Sequence, residues 1–327
     1  LQHLDFHRVR ESSKERNILL RIAPHLVQPL PILIPTYGHG IKGKELLGAG
    51  LMIYDALTVD RNRHIQDPHR QIPKTRIISR REIVNLFPGI DQANLTGGAI
   101  FHDGQMYNPP RLALSFLKSA MQRGAEAANY LEVTDFLHDE NRVYGIKARD
   151  VLGDNSLEIR GKVVLNTAGP WAHRLLARSF GFELNPRPVF SRDLALVARR
   201  RAENEYGIAF PTRAKDADSI LDRGGRHLFA LPWRESTLIG VWHKVFNRPP
   251  EEIIVTENEL QEFIDEVNEA NPSLALSMDD VSVVNTGLTL FGEANSQRPQ
   301  KLSFGKRSRL IDHCREHRLH GLVTLIG

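Results

Sequence analysis

The residues of this chain that are best placed for ligand chemistry lie in Val163–His173, VVLNTAGPWAH. The segment predicts a buried strand, a tight turn of small residues and a helix that begins at Pro170, where proline is well tolerated. A turn without bulky side chains, between a strand and a helix N-terminus, lets a polyanionic ligand approach the backbone. The segment therefore predicts a binding site for a nucleotide cofactor.

Two other kinds of chemistry find little support. His313, Cys314, His317 and His320 are suitable metal ligands, but their spacing matches no strong zinc pattern, and we expect them in a polar loop that binds no metal. No G-x-S-x-G motif is present, which argues against a serine nucleophile of that kind. The single cysteine, Cys314, excludes a disulfide within the chain and favours a reducing, cytoplasmic location.

Composition indicates an ordinary globular protein with more than one core. The chain has 327 residues, 41% hydrophobic and 25% charged, and a net charge of +4. The positive balance weakly favours an anionic small-molecule substrate, whereas the dispersed basic residues argue against nucleic-acid binding. The apolar stretch Leu46–Val59 is too short to span a bilayer; it predicts a buried helix, with a peripheral membrane contact as the alternative.

The first part of the chain reads as helical. Helices are predicted over Leu1–Ile22, Lys44–Leu57 and Ser79–Phe87, and Pro24 to Pro35 reads as a proline-rich connection. No sheet is expected before about Gly97.

The remainder alternates strands with helices. After Gly98–Phe101, Asn108 and Pro109 predict a capped helix, followed by an antiparallel meander and a return strand at Lys162–Leu165. Thr256 and Glu259 form a capping-box pattern that predicts another helix. Long antiparallel strands are expected at Arg187–Val197, His227–Leu231, Thr237–Trp242 and Val281–Leu290, and a final apolar strand at Gly321–Ile326.

Four segments, in order, resemble the flavin-dependent glycerol-3-phosphate dehydrogenases and related oxidases. Leu1–His25 is similar to the helix that follows that family's GGLRY segment, and Ile100–Leu112, IFHDGQMYNPPRL, to its YYDGQMDDARL segment. Val163–His173 resembles NATGPW, with Thr167 and Ala168 in swapped order. Leu231–Val245, LPWRESTLIGVWHKV, resembles the IPW strand pair.

This resemblance implies an α/β fold with an α+β substrate domain. It implies the second half of a glutathione-reductase-type FAD-binding domain at residues 98–182 and a return strand at 317–327. Residues 1–97 would form a helical part of the substrate domain, and 183–316 its antiparallel sheet. Such enzymes oxidise a secondary alcohol by hydride transfer to FAD and pass electrons to a quinone or oxygen. No glycine-rich Rossmann motif occurs in the chain, so we expect it to be a piece that is inactive alone.

The resemblance also assigns site residues. Those expected to contact FAD are Val133, Asn166, Ala168, Gly169, Pro170, Trp171 and Gly327. Trp171 is also open to a packing role in the turn.

The substrate pocket departs from the family pattern. Asp193 stands where the family has an active-site histidine, Thr289 where it has a phosphate-binding arginine, and His243 ends the segment that replaces its TTD. Threonine cannot supply the two-donor fork with which arginine grips phosphate. We therefore expect His243 and Asp193 as catalytic residues and Arg192 and Thr289 as substrate-binding residues, with glycerol 3-phosphate itself in doubt. Arg192 and Asp193 are neighbours on a strand, so at most one of them faces the pocket.

Two alternatives remain open. One is a relative that oxidises amines or amino acids, in which Asp193 would hold the cationic nitrogen. The other is a redox-inactive module that binds a ligand.

Overall fold

The computed structural model describes residues 6–40, 43–184, 188–215, 225–246, 248–293 and 308–327. The chain divides into two compact units. The first unit contains Leu1–Ser119, Leu194–Trp242 and Val255–Thr286, and the second contains Ala120–Asp193, His243–Ile254 and Gly287–Gly327. The four-part domain division given above stays a prediction.

The described part of the chain contains both helices and strands in quantity. The helices are α1 (Phe6–Ile22), α2 (Lys44–Leu57), α3 (Arg80–Leu86), α4 (Pro109–Met121), α5 (Ala172–Phe180), α6 (Glu257–Ala270) and α7 (His313–His317). The strands are β1 (Val27–Tyr37), β2 (Arg76–Ser79), β3 (Leu95–Met106), β4 (Leu131–His138), β5 (Val143–Asp150), β6 (Ser156–Arg160), β7 (Val164–Asn166), β8 (Pro188–Ala198), β9 (Gly207–Lys215), β10 (Gly225–Trp233), β11 (Ser236–Phe246), β12 (Val281–Glu293), β13 (Arg309–Asp312) and β14 (Leu322–Ile326).

An eight-stranded sheet runs in the order β12-β8-β11-β10-β9-β1-β3-β2. Within the first unit, helix α6 covers it with Leu260, Phe263, Ile264 and Val267, all buried. The predicted capping box of this helix is confirmed: Thr256 accepts from the backbone N–H of Glu259, and the Glu259 carboxylate accepts from Thr256. Phe263 is fully buried and stacks on Trp242.

The prediction that no sheet precedes Gly97 was wrong. Strand β1 occupies most of the proline-rich connection and pairs with β3 over its whole length, and β2 pairs with the other edge of β3. The three prolines, Pro29, Pro31 and Pro35, are all odd-numbered, so the N–H groups that they lack would all have pointed to one edge of the strand. The N–H groups of the even-numbered residues point to the other edge. Leu30, Ile32 and Leu33 are buried, and the burial of these apolar side chains stabilises strand β1 in the sheet.

The second unit is built on two three-stranded sheets. One has the order β13-β14-β7, in which β14 and β7 are parallel; the other is the predicted antiparallel meander β4-β5-β6. The core of this unit gathers Phe136, Val143, Ala172, Leu176, Leu184, Ile311, Leu319, Leu322 and Ile326. This mixture of a partly parallel sheet, a meander and long antiparallel strands confirms the predicted fold class.

The sheet β13-β14-β7 has one covered and one open face. Ile311, Leu322 and Ile326 on the covered face are at most 3% exposed. The register places Leu165, Leu310 and Leu325 on the opposite face, where they are 58%, 66% and 37% exposed. Sheets with parallel strands are normally covered on both faces. The open face of this sheet is therefore a surface suited to a further layer of structure.

None of the described helices is both long and apolar enough to cross a membrane. Residues 46–57 of the apolar stretch lie in helix α2, but the prediction that this helix is buried was wrong. Leu51 is its buried residue, Met52 is 70% exposed, and Val59, beyond the helix, is 83% exposed.

Candidate functional site

Three neighbouring strands bring together the side chains that sequence reasoning picked out one by one. Asp193 lies on β8, between Thr289 on β12 and His243 on β11. His243 Nδ1 lies 2.7 Å from Asp193 Oδ1. The Asp193 carboxylate also accepts from the hydroxyl of Ser191, at 2.7 Å, and from that of Thr289. The residue separations along the chain are large, so only pairing of the strands assembles this group.

Sequence reasoning missed Ser191. The signal was present, because residues two apart on a strand point to the same face, which puts Ser191 beside Asp193. A serine at this position can donate a hydrogen bond to the Asp193 carboxylate, as Ser191 does.

The electrostatics of the group favour an ionised Asp193. Burial raises the pKa of the Asp193 carboxyl, but hydrogen bonds from His243, Ser191 and Thr289 outweigh burial and hold that pKa below its ordinary value. A carboxylate that accepts from Nδ1 fixes the proton of neutral imidazole on that nitrogen. In that tautomer the lone pair that can accept a proton lies on Nε2 of His243. The two side chains are 17% and 20% exposed, so the pair is sheltered but reachable.

Arg192 does not join this group, contrary to the expectation that it binds substrate. It is 4% exposed, and its Nη1 donates to the carbonyl of Ile254 at 2.6 Å. The strand alternation that turns Asp193 toward His243 turns Arg192 to the other face. Arg192 thus holds the segment that follows β11, and the geometry argues against a role in gripping substrate.

The predicted cofactor turn follows β7 as expected. Ala168, Gly169 and Pro170 lead through a short 3-10 turn into helix α5. Gly169 has a φ of 53°, a left-handed conformation that glycine adopts without strain. Apart from its two chain neighbours, no atom of the described residues lies within 4 Å of where its Cβ would be. The turn therefore has open space over its backbone.

Asn166 organises this turn rather than facing the open space. It is 5% exposed; its Oδ1 accepts from Ala168 N at 3.2 Å and its Nδ2 donates to the carbonyl of Ala172 at 3.2 Å. Both ends of the amide are used inside the turn. The expectation that its side chain contacts a cofactor is not supported by this geometry.

Trp171 is likewise engaged within the protein. Its Nε1 donates to Glu251 Oε1 at 2.8 Å, and Arg174 donates to the other oxygen of the same carboxylate. The pKa of Glu251 lies below its ordinary value, first because its own backbone N–H donates to the carboxylate and then because Arg174 and Trp171 donate to it. Trp171 and Arg174 thus tie the turn to residues 250–252.

The other expected cofactor positions are Gly327, at the end of a central strand, and Val133, on an edge strand. Gly327 follows β14, which runs parallel to β7 with Thr324 opposite Asn166, so Gly327 and the turn lie beyond the same ends of two parallel strands. In open α/β sheets this is where ligands bind. Val133 lies on β4, an edge strand of the meander, where it is 37% exposed.

The histidine-rich segment differs from the polar loop that was predicted. His313 to His317 form helix α7, because Asp312 caps it by accepting from Cys314 N. His313 is completely buried, with Nδ1 3.1 Å from Nδ1 of His317 and Nε2 2.9 Å from the Thr324 hydroxyl. Among the described residues no group of three or more potential ligands is arranged to hold a metal ion.

Comparison with known proteins connects this architecture to a family. The family model described as FAD dependent oxidoreductase matches residues 10–308. Glycerol-3-phosphate dehydrogenase of a Synechocystis species is 28% identical over all of this chain and 57% of its own length. Alpha-glycerophosphate oxidase of Streptococcus pyogenes is 28% identical over 90% of this chain and 46% of its own length. The chain spans about half the length of the curated relatives it matches.

Solved structures show the same fold. The FAD complex of glycerol-3-phosphate dehydrogenase from Bacillus halodurans superposes with a TM-score of 0.67 at 23% identity, covering 98% of this chain and 51% of that one. L-proline dehydrogenase from P. horikoshii reaches 0.58 at 14% identity, covering 98% and 72%.

Proposed function

Because this chain belongs to the FAD dependent oxidoreductase family, we propose that its protein oxidises a secondary alcohol, with His243 as the group that accepts the hydroxyl proton. The observation that carries this proposal is the 2.7 Å contact between His243 Nδ1 and Asp193 Oδ1. It presents Nε2 of a sheltered imidazole as a proton acceptor, which removal of hydrogen from an alcohol needs.

Asp193 acts through His243 and is a positioning residue in this proposal. Its ionised carboxylate keeps the imidazole in one tautomer and stabilises the charge that appears when Nε2 takes up a proton. Ser191 and Thr289 donate to the carboxylate and hold it in place. His243, which takes up the proton, and Asp193, which compensates the charge, thus lie on adjacent strands of one sheet.

The residues of the second unit fit FAD, the cofactor of the family. The open space beside Gly169, the small side chain of Ala168 and the position of Gly327 beyond the neighbouring parallel strand support a nucleotide site here. When bound, FAD supplies the two-electron oxidation. The open face bearing Leu165, Leu310 and Leu325 supports the view that an FAD domain needs a further layer here.

The geometry favours an alcohol over an amine. Asp193 already accepts from three donors of its own chain, which leaves it poorly placed to hold a substrate ammonium group as well. Thr289 donates to the same carboxylate, so it is not a substitute for a phosphate-binding arginine. We therefore propose a small hydroxylated substrate other than plain glycerol 3-phosphate, with a quinone or oxygen as the electron acceptor.

A flavin-bleaching screen tests this function. In the whole protein that carries this chain, loaded with FAD, we expect anaerobic loss of flavin absorbance with secondary alcohols or hydroxy acids and none with amines. His243→Gln should slow reduction by about 10²-fold or more, the usual contribution of a general base. Bleaching by amines alone would favour the amine hypothesis, and metabolite binding without reduction would favour the redox-inactive one.

A further inference from the structure

A cleft in the first unit shares no residue with the site described above. We propose that this cleft, between helix α1 and residues 60–64, binds a phosphate group. Its cavity volume is about 280 Å³, and its charged lining comprises Lys14 and Arg21 from the helix and Asp60, Arg61 and Arg63 from the opposite wall. The proposal does not depend on the oxidoreductase function.

The walls of the cleft are fixed to each other. Asn17, on α1 between the two basic residues, donates from Nδ2 to the carbonyl of Arg61 at 2.8 Å and to that of Arg63 at 3.1 Å. Ser13, which also lines the cleft, is 4% exposed. A ligand therefore meets a wall that is already held in place, which lowers the entropy cost of binding.

Two of the charged residues that line the cleft form ion pairs with other residues of the chain. Asp60, the acidic residue of the lining, forms a two-pronged pair with Arg10, at 2.5 and 3.0 Å. Arg61 is 6% exposed and pairs with Asp55 at 3.0 Å. Neither residue contributes an uncompensated charge to the cleft.

The excess charge comes from Lys14, Arg21 and Arg63, because Asp60, the acidic residue of the lining, attracts Lys14 but is already paired with Arg10. Three cationic side chains around one cavity repel one another, and a compact multivalent anion relieves that repulsion. A phosphate group carries between one and two negative charges near neutral pH and offers three acceptor oxygens, which suits three separate donors better than a single carboxylate does.

Titration of the full chain with inorganic phosphate tests the proposal by calorimetry. We expect saturable one-to-one binding that weakens as ionic strength rises. The double variant Lys14→Gln/Arg63→Gln should weaken binding by about tenfold. The matched control Arg111→Gln/Lys118→Gln removes the same charge from exposed positions on α4 and should leave binding unchanged.

A second arm separates free phosphate from a lipid headgroup. Vesicles of phosphatidylcholine containing about one-fifth phosphatidic acid are compared with phosphatidylcholine alone in a flotation assay. Binding to the acidic vesicles only, lost in the Lys14→Gln/Arg63→Gln variant, would support the site and identify a membrane source. If this variant and its control bind both probes equally, or if neither probe binds the unmodified chain, the proposal is overturned.

Discussion

Two histidine pairs in the second unit show how neighbours decide what an imidazole can do. His243 faces an ionised carboxylate, Asp193, and is 17% exposed. His313 faces another imidazole, His317, and a threonine hydroxyl, and is completely buried. Both rings make short polar contacts, but among these contacts only His243 has a carboxylate within hydrogen-bond distance.

Burial keeps the His313 ring in the neutral state, because its pKa lies well below the ordinary histidine value. Burial and the neighbouring His317 lower the pKa of His313 to about 4, against a smaller opposing effect of Asp312. Phe182 stacks on both rings and adds to the apolar surroundings. We conclude that His313 is a packing residue with a hydrogen-bonding edge, whereas the carboxylate beside His243 makes that ring suitable for proton transfer.

The largest effect is expected from a variant that disrupts the contact between His243 and Asp193. Asp193→Asn keeps the size of the side chain but removes the charge and allows the wrong imidazole tautomer. We expect the rate of flavin reduction to fall by about 10²- to 10⁴-fold, with substrate affinity little changed. Stopped-flow reduction of the FAD-loaded whole protein measures both quantities.

An Asp193→Asn variant that retains its full rate would show that the pair is structural only. The pH profile separates the two cases further, because loss of a positioning carboxylate changes the dependence of the rate on pH, whereas simple destabilisation does not.

The second prediction concerns the buried pair and the free energy of unfolding. Unfolded histidine has a pKa of 6.5, whereas His313 in the folded protein has a pKa of about 4. The neutral ring is therefore favoured by folding, and this stability is complete above pH 6.5 and lost as the pH falls toward 4. Across that window the loss reaches about 3 kcal/mol.

Urea unfolding at neutral and at mildly acidic pH measures this loss. His313→Gln should be less stable at neutral pH, because its hydrogen bond to Thr324 is altered, but should lose less stability on acidification. His69→Gln, at an exposed position, should keep the pH dependence of the unmodified chain. An unchanged pH dependence in His313→Gln would show that another group is responsible.

Local features of the fold were readable from the sequence, and non-local ones were not. The cap at Thr256 and the opposite orientations of Arg192 and Asp193 follow from rules that act over a few residues, and both are found. Strand β1 was missed because its prolines outweighed its buried aliphatic residues, whose benefit depends on β3, far along the chain.

The candidate site shows the same limit. Asp193, His243 and Thr289 were each selected from a resemblance, but their hydrogen bonds depend on the pairing of three strands that local patterns do not specify. Asn166 was expected to contact FAD from the same resemblance. Its amide is instead what shapes the turn, a role that depends on where the following helix begins.

The smallest effect is expected from removing one of the hydrogen-bond donors to the Asp193 carboxylate. Ser191→Ala removes one of the donors to Asp193 and leaves His243 in contact with it. With one stabilising hydrogen bond lost, the pKa of Asp193 should rise, although it should stay ionised at neutral pH. We expect flavin reduction to slow by less than about tenfold, because His243 and Thr289 still donate to the Asp193 carboxylate and keep it satisfied. Thr289→Val should have a similar effect. A loss in Ser191→Ala as large as that in Asp193→Asn would place Ser191 in direct contact with substrate and would require the roles of the two residues to be exchanged.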